Sequence, residues 1–99
     1  EQYEFIKDFS DAYEAEYGGS INTFAGHGWD AIHIVTDALE RAGADASPAE
    51  LRDAIEETSN LVGTAGVFNY SPTNHNGLTP EDLVMVEIVD GAWSMAPGQ

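Results

Sequence analysis

The chain has 99 residues and a formal net charge of −15, from three Lys or Arg and 18 Asp or Glu. A chain of this length can build one small core at most, and its negative charge disfavours nucleic acid and anionic membrane surfaces as partners. A hydrophobic content of 42% is too high for a disordered acidic tail, and without Cys the chain has neither a disulfide nor a thiolate metal site.

The N-terminal segment has the pattern of an acidic amphipathic helix. The chain opens at Glu1 with neither an initiator Met nor the basic and apolar regions of a signal peptide, which is typical of an excised or processed piece. Within residues 3–17 the large apolar side chains recur near helical spacing, at Phe5, Ile6, Phe9, Tyr13 and Tyr17. We expect this helix to end at Gly18-Gly19, and we expect the chain to be the end of a longer protein.

Two further helices are predicted. The second runs from about residue 28 to residue 42, and its apolar residues cover more than one stripe, so we expect it to be buried on more than one side. The third begins with a capping box, in which Ser47 is the N-cap, Pro48 takes the first helical position and Glu50 reaches back. We expect this helix to fray near Thr58 or Ser59.

After Gly63 the pattern changes from helical to extended. Residues 67–70 are predicted as a short strand, and residues 83–89 as a longer strand with at least one covered face. Asp90-Gly91 is predicted to form a two-residue hairpin turn into Ala92–Met95. Three helices followed by about three strands leave more apolar surface than this chain can cover, so we expect something else to pack here.

The sequence contains no constellation that supports catalysis. It has no Cys, no Gly-x-Ser-x-Gly elbow and no Ser placed beside a His and an acid by any motif. His27 and His33 lie about 240° apart around a helix and cannot share a metal ion, and His75 lies in a polar loop. We therefore expect a protein that is not an enzyme and that uses neither a metal nor a cofactor.

Residues 23–31 form the best candidate for a binding site. They combine Phe24 and Trp29 with two glycines, Gly26 and Gly28, and with His27, just before the second predicted helix. Aromatic walls and a close backbone approach are typical of the edge of a small-molecule cleft. The same residues also suit a packed core and a turn, and the pattern alone leaves both interpretations open.

These segments together resemble a known family. In chain order they are Phe9-x3-Tyr13-x3-Tyr17-Gly18, Phe24-Ala25-x3-Trp29-Asp30-Ala31, Ala38-Leu39-Glu40-Arg41-Ala42-Gly43-Ala44, Leu51-Arg52-Asp53-Ala54-Ile55, Gly63-x2-Gly66-x-Phe68 and Val86-x3-Asp90-Gly91-x-Trp93. The series resembles the C-terminal region of the substrate-binding proteins of branched-chain amino acid ABC transporters, which are type I periplasmic binding proteins. The resemblance covers almost the whole chain and about the last quarter to third of a full family member.

The resemblance implies an α/β fold, as a fragment of a two-lobed receptor that closes on a ligand between its lobes. Residues 1–99 are then a single partial domain, with the helical residues 1–62 in the first lobe and the strands of residues 63–99 near and beyond the hinge. The position of Phe24 resembles a cleft-edge aromatic that touches the ligand, and Ala25, Gly26 and His27 lie beside it. The resemblance thus implies these four residues as ligand-binding residues.

The function that the resemblance implies is that of the solute-binding receptor of an ABC importer, in a periplasmic or other extracytoplasmic location. Its partners are then the transporter permease and, in the full-length protein, a branched-chain amino acid or related small carboxylate. The residues that hold a ligand's ammonium and carboxylate are expected mainly in parts of the family absent from this chain, so the ligand is not identified. As an isolated piece, the chain is expected to form a homodimer that covers its apolar surface.

Two other interpretations remain open. The chain could belong to a ligand-sensing domain of the same fold in a signalling protein, which an adjoining kinase or cyclase region would reveal. It could also be a stand-alone acidic module that associates with itself or with a basic partner, in which case binding to a cationic surface depends steeply on salt.

Trp29 departs from the family, because Tyr is usual at its position.

Overall fold

The computed structural model describes residues 1–98 as three helices followed by two small antiparallel hairpins. The helices are α1 (Gln2–Tyr17), α2 (Thr23–Ala42) and α3 (Pro48–Glu56). The strands are β1 (Leu61–Val62), which pairs with β2 (Val67–Phe68), and β3 (Val86–Val89), which pairs with β4 (Ala92–Met95). The predicted order of helices and then strands is confirmed, but the described residues form four strands rather than about three.

Helix α2 begins at Thr23 and not near residue 28, so the predicted start was wrong. The side chain of Asn22 accepts a hydrogen bond from the backbone N–H of Ala25 at 3.0 Å, and Asn22 itself has an extended backbone. A side-chain oxygen in this position satisfies an amide that the first turn of a helix leaves free. This N-cap outweighs the helix-breaking tendency of Gly26 and Gly28, and it places the predicted binding residues on a helix.

Helix α3 has the predicted capping box. The backbone N–H of Glu50 donates to the Ser47 hydroxyl oxygen at 3.3 Å, and the backbone N–H of Ser47 donates to the Glu50 carboxylate at 2.8 Å. The Ser47 hydroxyl also donates to this carboxylate at 2.7 Å. These donors hold the pKa of Glu50 below its ordinary value, with the hydroxyl contributing most.

The variant Ser47→Ala is expected to lower the free energy of unfolding by about 1 kcal/mol at neutral pH, because α3 loses its N-cap. Because the carboxyl pKa of Glu50 is lowered in the folded state, its ionised form stabilises the fold at pH values above its ordinary pKa, and this stabilisation is lost as the pH falls through the lowered pKa. The difference in free energy of unfolding between wild type and Ser47→Ala should therefore become smaller in acid.

Urea denaturation at several pH values measures this difference, and Ser20→Ala at an exposed position is the control. A difference that becomes larger in acid would contradict the prediction.

Arg41 joins α2 to α3. Its guanidinium donates to the carbonyl oxygen of Ala54 at 2.8 Å and to the hydroxyl of Thr58 at 2.9 Å. Thr58 is only 2% exposed, and its carbonyl oxygen accepts from the backbone N–H of Tyr70 at 2.9 Å. Between the helices Ala38 and Ala54 are buried. One side chain thus anchors α2 to the end of α3 and, through Thr58, to the segment that follows β2.

The strands differ from their predicted extents. The first predicted strand ends at Phe68 rather than at residue 70, because the backbone N–H groups of Asn69 and Tyr70 bond to Gly77 and Thr58 instead of to a strand. The longer strand starts at Val86, after a 3₁₀ turn at Pro80–Asp82. The hairpin turn at Asp90-Gly91 is confirmed: both residues have positive φ, 51° and 81°, as a two-residue turn of this type requires.

Much apolar surface in the described residues has no cover. Both β3 and β4 are exposed along their whole length, so the predicted covered face of residues 83–89 was wrong for this chain. On α2 the side chain of Ile32 is 68% exposed, so the burial predicted for more than one side of this helix is not found either. The radius of gyration is 16.0 Å, against about 13 Å for a compact domain of this size. This large radius agrees with the uncovered apolar surface on β3, β4 and α2.

No helix in residues 1–98 combines the length and the apolar character that a membrane span requires.

Candidate functional site

An open pocket of about 380 Å³ lies between α1, the first turns of α2 and the turn that joins β1 to β2. Its apolar lining residues are Ile6, Phe9, Ile21 and Ala65, and its other lining residues are Asn22, Thr23, Gly26, His27 and Thr64. A concave site of this size, with an apolar part and a few polar groups, suits a small molecule. We call it the α2 pocket.

Asp30 holds the β1–β2 turn against α2. Its side chain is buried, and its carboxylate accepts from the backbone N–H of Thr64 at 2.7 Å, the hydroxyl of Thr64 at 2.8 Å and the backbone N–H of Ala65 at 3.1 Å. Hydrogen bonds to an ionised group are stronger than those between neutral groups. Because Thr64 and Ala65 line the α2 pocket, Asp30 determines where one of its walls lies.

Two glycines allow this close approach. A Cβ on Gly26 would lie 2.7 Å from the hydroxyl oxygen of Thr64, and a Cβ on Gly63 would lie 2.6 Å from the ring of Phe68 and 3.0 Å from the Asp30 carboxyl. All three distances are shorter than a van der Waals contact. Gly26 and Asp30 are one turn apart on the same face of α2. Thr64 can pack against this face because Gly26 has no side chain, and Asp30 binds it there through hydrogen bonds.

The four predicted binding residues do not share one site. Gly26 and His27 line the α2 pocket. Ala25 lines a separate groove with Phe9, Ala12, Tyr13, Tyr17 and Trp29. Phe24 is 86% exposed and lines neither of these two sites.

Trp29 supports the core interpretation for its own part of the segment 23–31. Its ring stacks on Phe9, with centroids 5.0 Å apart and planes 28° apart, and it also contacts the ring of His33. Stacked aromatic pairs of this kind stabilise packing between elements. Trp29 thus packs α2 on α1, while Gly26 and His27 line the α2 pocket. A binding role for these two residues stays a prediction.

A second groove, of about 450 Å³, lies between α3 and the loop that contains His75. The Nε2 atom of His75 is 3.0 Å from a carboxylate oxygen of Glu56. Tyr70 also lines this groove, and burial raises the pKa of its hydroxyl. None of the predicted binding residues lines the groove. In residues 1–98 no group of three or more His, Asp or Glu side chains is placed to hold a metal ion.

Sequence reasoning did not single out Asp30 and Thr64 as site residues. Asp30 was named only as part of the Trp29-Asp30-Ala31 motif that supports the family resemblance. The available signal was an acidic residue among the apolar residues of a helix, because an acid that is buried must find donors. The signal was incomplete, since the predicted helix began too late to place Gly26 one turn before Asp30.

The chain is similar to proteins of one family. The family described as "Periplasmic binding protein" matches residues 2–92. An extracellular ligand-binding receptor from Rhodopseudomonas palustris HaA2 is 32% identical with a TM-score of 0.81, over 96% of this chain and 28% of the receptor. A "putative branched-chain amino acid ABC transporter" from Rhodospirillum rubrum is 29% identical with a TM-score of 0.74, over 94% of this chain and 26% of the other. No curated protein is significantly similar.

These matches also show how much of each solved structure the chain covers. It spans about a quarter of the length of the two solved structures, since it covers 28% and 26% of them. The three helices and the hairpins thus correspond to part of a larger α/β protein, as predicted. The division of the chain into residues 1–62 and 63–99 across a hinge stays a prediction.

Proposed function

Because this chain belongs to the periplasmic binding protein family, we propose that it forms part of an extracytoplasmic receptor that binds a branched-chain amino acid or a related small carboxylate for an ABC importer. The observation that carries the proposal is the α2 pocket. Gly26 and His27, implied by the resemblance as binding residues, line it together with the apolar side chains of Ile6 and Ile21. Apolar side chains of this kind suit a branched aliphatic group.

The likeness to the protein from Rhodospirillum rubrum supports the choice of substrate and partner. That protein is described as a "putative branched-chain amino acid ABC transporter", and the chain matches it over 94% of its own length. We propose the same class of ligand and a permease partner here. We also propose that binding is followed by no chemical step, since the family is one of binding proteins.

Phe24 and Ala25 have a different part in the proposal. Phe24 is exposed to solvent in the first turn of α2, directly after Thr23, which lines the α2 pocket. An exposed aromatic next to a pocket-lining residue is suited to closing over a ligand when a second lobe approaches. We propose that Phe24 contacts the ligand from this edge and that Ala25 supports it through the packing between α1 and α2.

The proposed function is tested on the product of the whole reading frame that contains the codon for Glu1. Isothermal titration calorimetry with L-leucine, L-isoleucine and L-valine should give saturable binding. His27→Ala is expected to weaken binding about tenfold, because a polar group on the pocket wall is lost. The matched control is His75→Ala, which alters a histidine of the second groove and should leave the affinity unchanged.

Two outcomes would contradict the proposal. One is the absence of binding both with all three amino acids and with 4-methylpentanoate, a small carboxylate of similar shape. The other is an equal loss of affinity in both histidine variants, because the α2 pocket would then have no special part in binding.

For the isolated chain we propose a homodimer. The exposed β3–β4 hairpin supports it, because within residues 1–98 no third strand pairs with its outer edges, and Ile88 and Trp93 lie at its surface. Light scattering of the isolated chain gives its mass, and a monomer would contradict the proposal.

A further inference from the structure

Asn76 differs from the other asparagines of the chain in the surroundings of its side chain. It is exposed and directly precedes Gly77, and no other asparagine of the chain is followed by glycine. Within residues 1–98 its side-chain amide makes no hydrogen bond. The side chains of Asn22, Asn69 and Asn74, in contrast, all accept hydrogen bonds from backbone N–H groups. The Asn76 amide is therefore free to react with the backbone that follows it.

The reaction open to such a pair is the formation of a cyclic imide. The backbone nitrogen of Gly77 attacks the side-chain carbonyl carbon of Asn76, so a new C–N bond forms and the bond from this carbon to the side-chain nitrogen breaks. The side-chain nitrogen leaves as ammonia and takes the proton of the Gly77 N–H with it. Water then opens the ring on either side and gives aspartate or isoaspartate at position 76. Glycine favours the attack because it has no Cβ to hinder the approach.

The side chain of Asn74 restrains this reaction. Its Oδ1 atom accepts from the backbone N–H of Asn76 at 3.1 Å and from the backbone N–H of Gly77 at 3.4 Å. A hydrogen bond that a neutral N–H donates opposes the loss of its proton. Because the Gly77 nitrogen gives up this proton when the imide forms, its contact with Asn74 slows the attack. The contact is long for an N–H···O hydrogen bond, so it slows the reaction without preventing it.

We propose that Asn76 is a site of spontaneous modification, at which loss of ammonia and addition of water give aspartate or isoaspartate, and that Asn74 governs the rate. Asparagine is among the residues most prone to chemical change on heating. The inference is independent of the proposed function, since it requires no ligand.

The modification has a structural consequence at the second groove. Gly77 lies so close to Tyr70 that a Cβ would come within 2.6 Å of its ring, and the carbonyl oxygen of Gly77 accepts from the backbone N–H of Asn69 at 2.8 Å. Isoaspartate adds one methylene to the backbone just before Gly77, so these contacts must shift. Tyr70 and His75 line the second groove. Isoaspartate should therefore lower the free energy of unfolding and change the shape of this groove.

The experiment incubates the product of the whole reading frame at mildly alkaline pH, below its unfolding temperature. Peptide mapping with mass spectrometry follows each asparagine of residues 1–99, because the change from amide to acid shifts the peptide mass. Asn60 is the internal control: its side chain also makes no hydrogen bond within residues 1–98, but Leu61 follows it. Asn76 should react about tenfold faster than Asn60, because a side chain on the next residue hinders the attack. Equal rates at the two positions, or no conversion at Asn76, would overturn the proposal.

Variants test the part of Asn74. Asn74→Ala should accelerate the conversion of Asn76 about threefold, because the Gly77 N–H loses its acceptor. Asn74→Asp keeps an acceptor oxygen and should not accelerate it. Ser71→Ala is the matched control, since the Ser71 hydroxyl accepts from the backbone N–H groups of Thr73 and Asn74 in the same loop and makes no hydrogen bond to Gly77. Equal acceleration by Asn74→Ala and Ser71→Ala, or none by Asn74→Ala, would overturn the part assigned to Asn74.

The structural consequence is measured by urea denaturation of the isoaspartate form after its separation. The matched control is Asn76→Asp, which carries the same new charge without the extra methylene. The isoaspartate form should be the less stable of the two. Equal stability would show that the loop absorbs the methylene without moving Gly77, and would overturn this consequence.

Discussion

Replacing Asp30 with Ala is expected to lower the free energy of unfolding by about 3 kcal/mol. The substitution removes the acceptor for three donors of Thr64 and Ala65 at a site where Asp30 itself is only 2% exposed. A buried N–H or O–H group that loses its hydrogen-bond acceptor is still removed from water, so its desolvation penalty is no longer offset by a hydrogen bond. Urea denaturation followed by tryptophan fluorescence measures the change.

The matched control for this prediction is Asp37→Ala. Asp37 is also on α2, but its carboxylate pairs with Arg41 at a partly exposed position, with N–O distances of 3.0 and 2.7 Å. Ion pairs of this kind contribute about 0.5 kcal/mol. If the two variants were destabilised by the same amount, the hydrogen bonds of Asp30 would not have the structural importance that their burial indicates.

A second large effect is expected from adding one methyl group to α2 at Gly26. The new Cβ would come within 2.7 Å of the Thr64 hydroxyl oxygen, which Asp30 holds in place. Either the hydrogen bond or the helix must shift, and overpacking of this kind costs about 1–3 kcal/mol. We expect Gly26→Ala to lower the free energy of unfolding, although Ala is the better helix former.

Gly28→Ala is the control in the same helix. A Cβ at Gly28 meets no atom within 4 Å. The variant should therefore raise the free energy of unfolding by about 0.5–1 kcal/mol through helix propensity alone. Thermal unfolding monitored by circular dichroism compares the two. Equal stabilisation by both substitutions would show that α2 does not approach Thr64 as closely as the structure has it.

Part of the candidate site could be predicted from the sequence. Gly26 and His27 were implied by the resemblance, and both line the α2 pocket. Phe24 and Ala25, implied on the same basis, lie outside it, because successive residues of a helix point in different directions. Asp30 and Thr64 were missed as a pair, since their contact joins residues 34 positions apart and leaves no periodic signal in the sequence.

The sequence by itself determined the local features of this protein. The capping box at Ser47, the end of α1 at Gly18 and the hairpin turn at Asp90-Gly91 were all predicted correctly. Each depends on hydrogen bonds or backbone angles within a few residues, so the residue types nearby are sufficient to specify it.

Only the tertiary structure decided which apolar surfaces are covered and which side chains meet. Hydrophobic patterning shows that a face is apolar, but the identity of the layer against it depends on the whole fold. For this reason the predicted covered face of residues 83–89 was wrong, whereas the excess of apolar surface was predicted correctly. The wall of the α2 pocket is tertiary in the same sense, because Asp30 and Gly26 shape it only once α2 has packed against the β1–β2 turn.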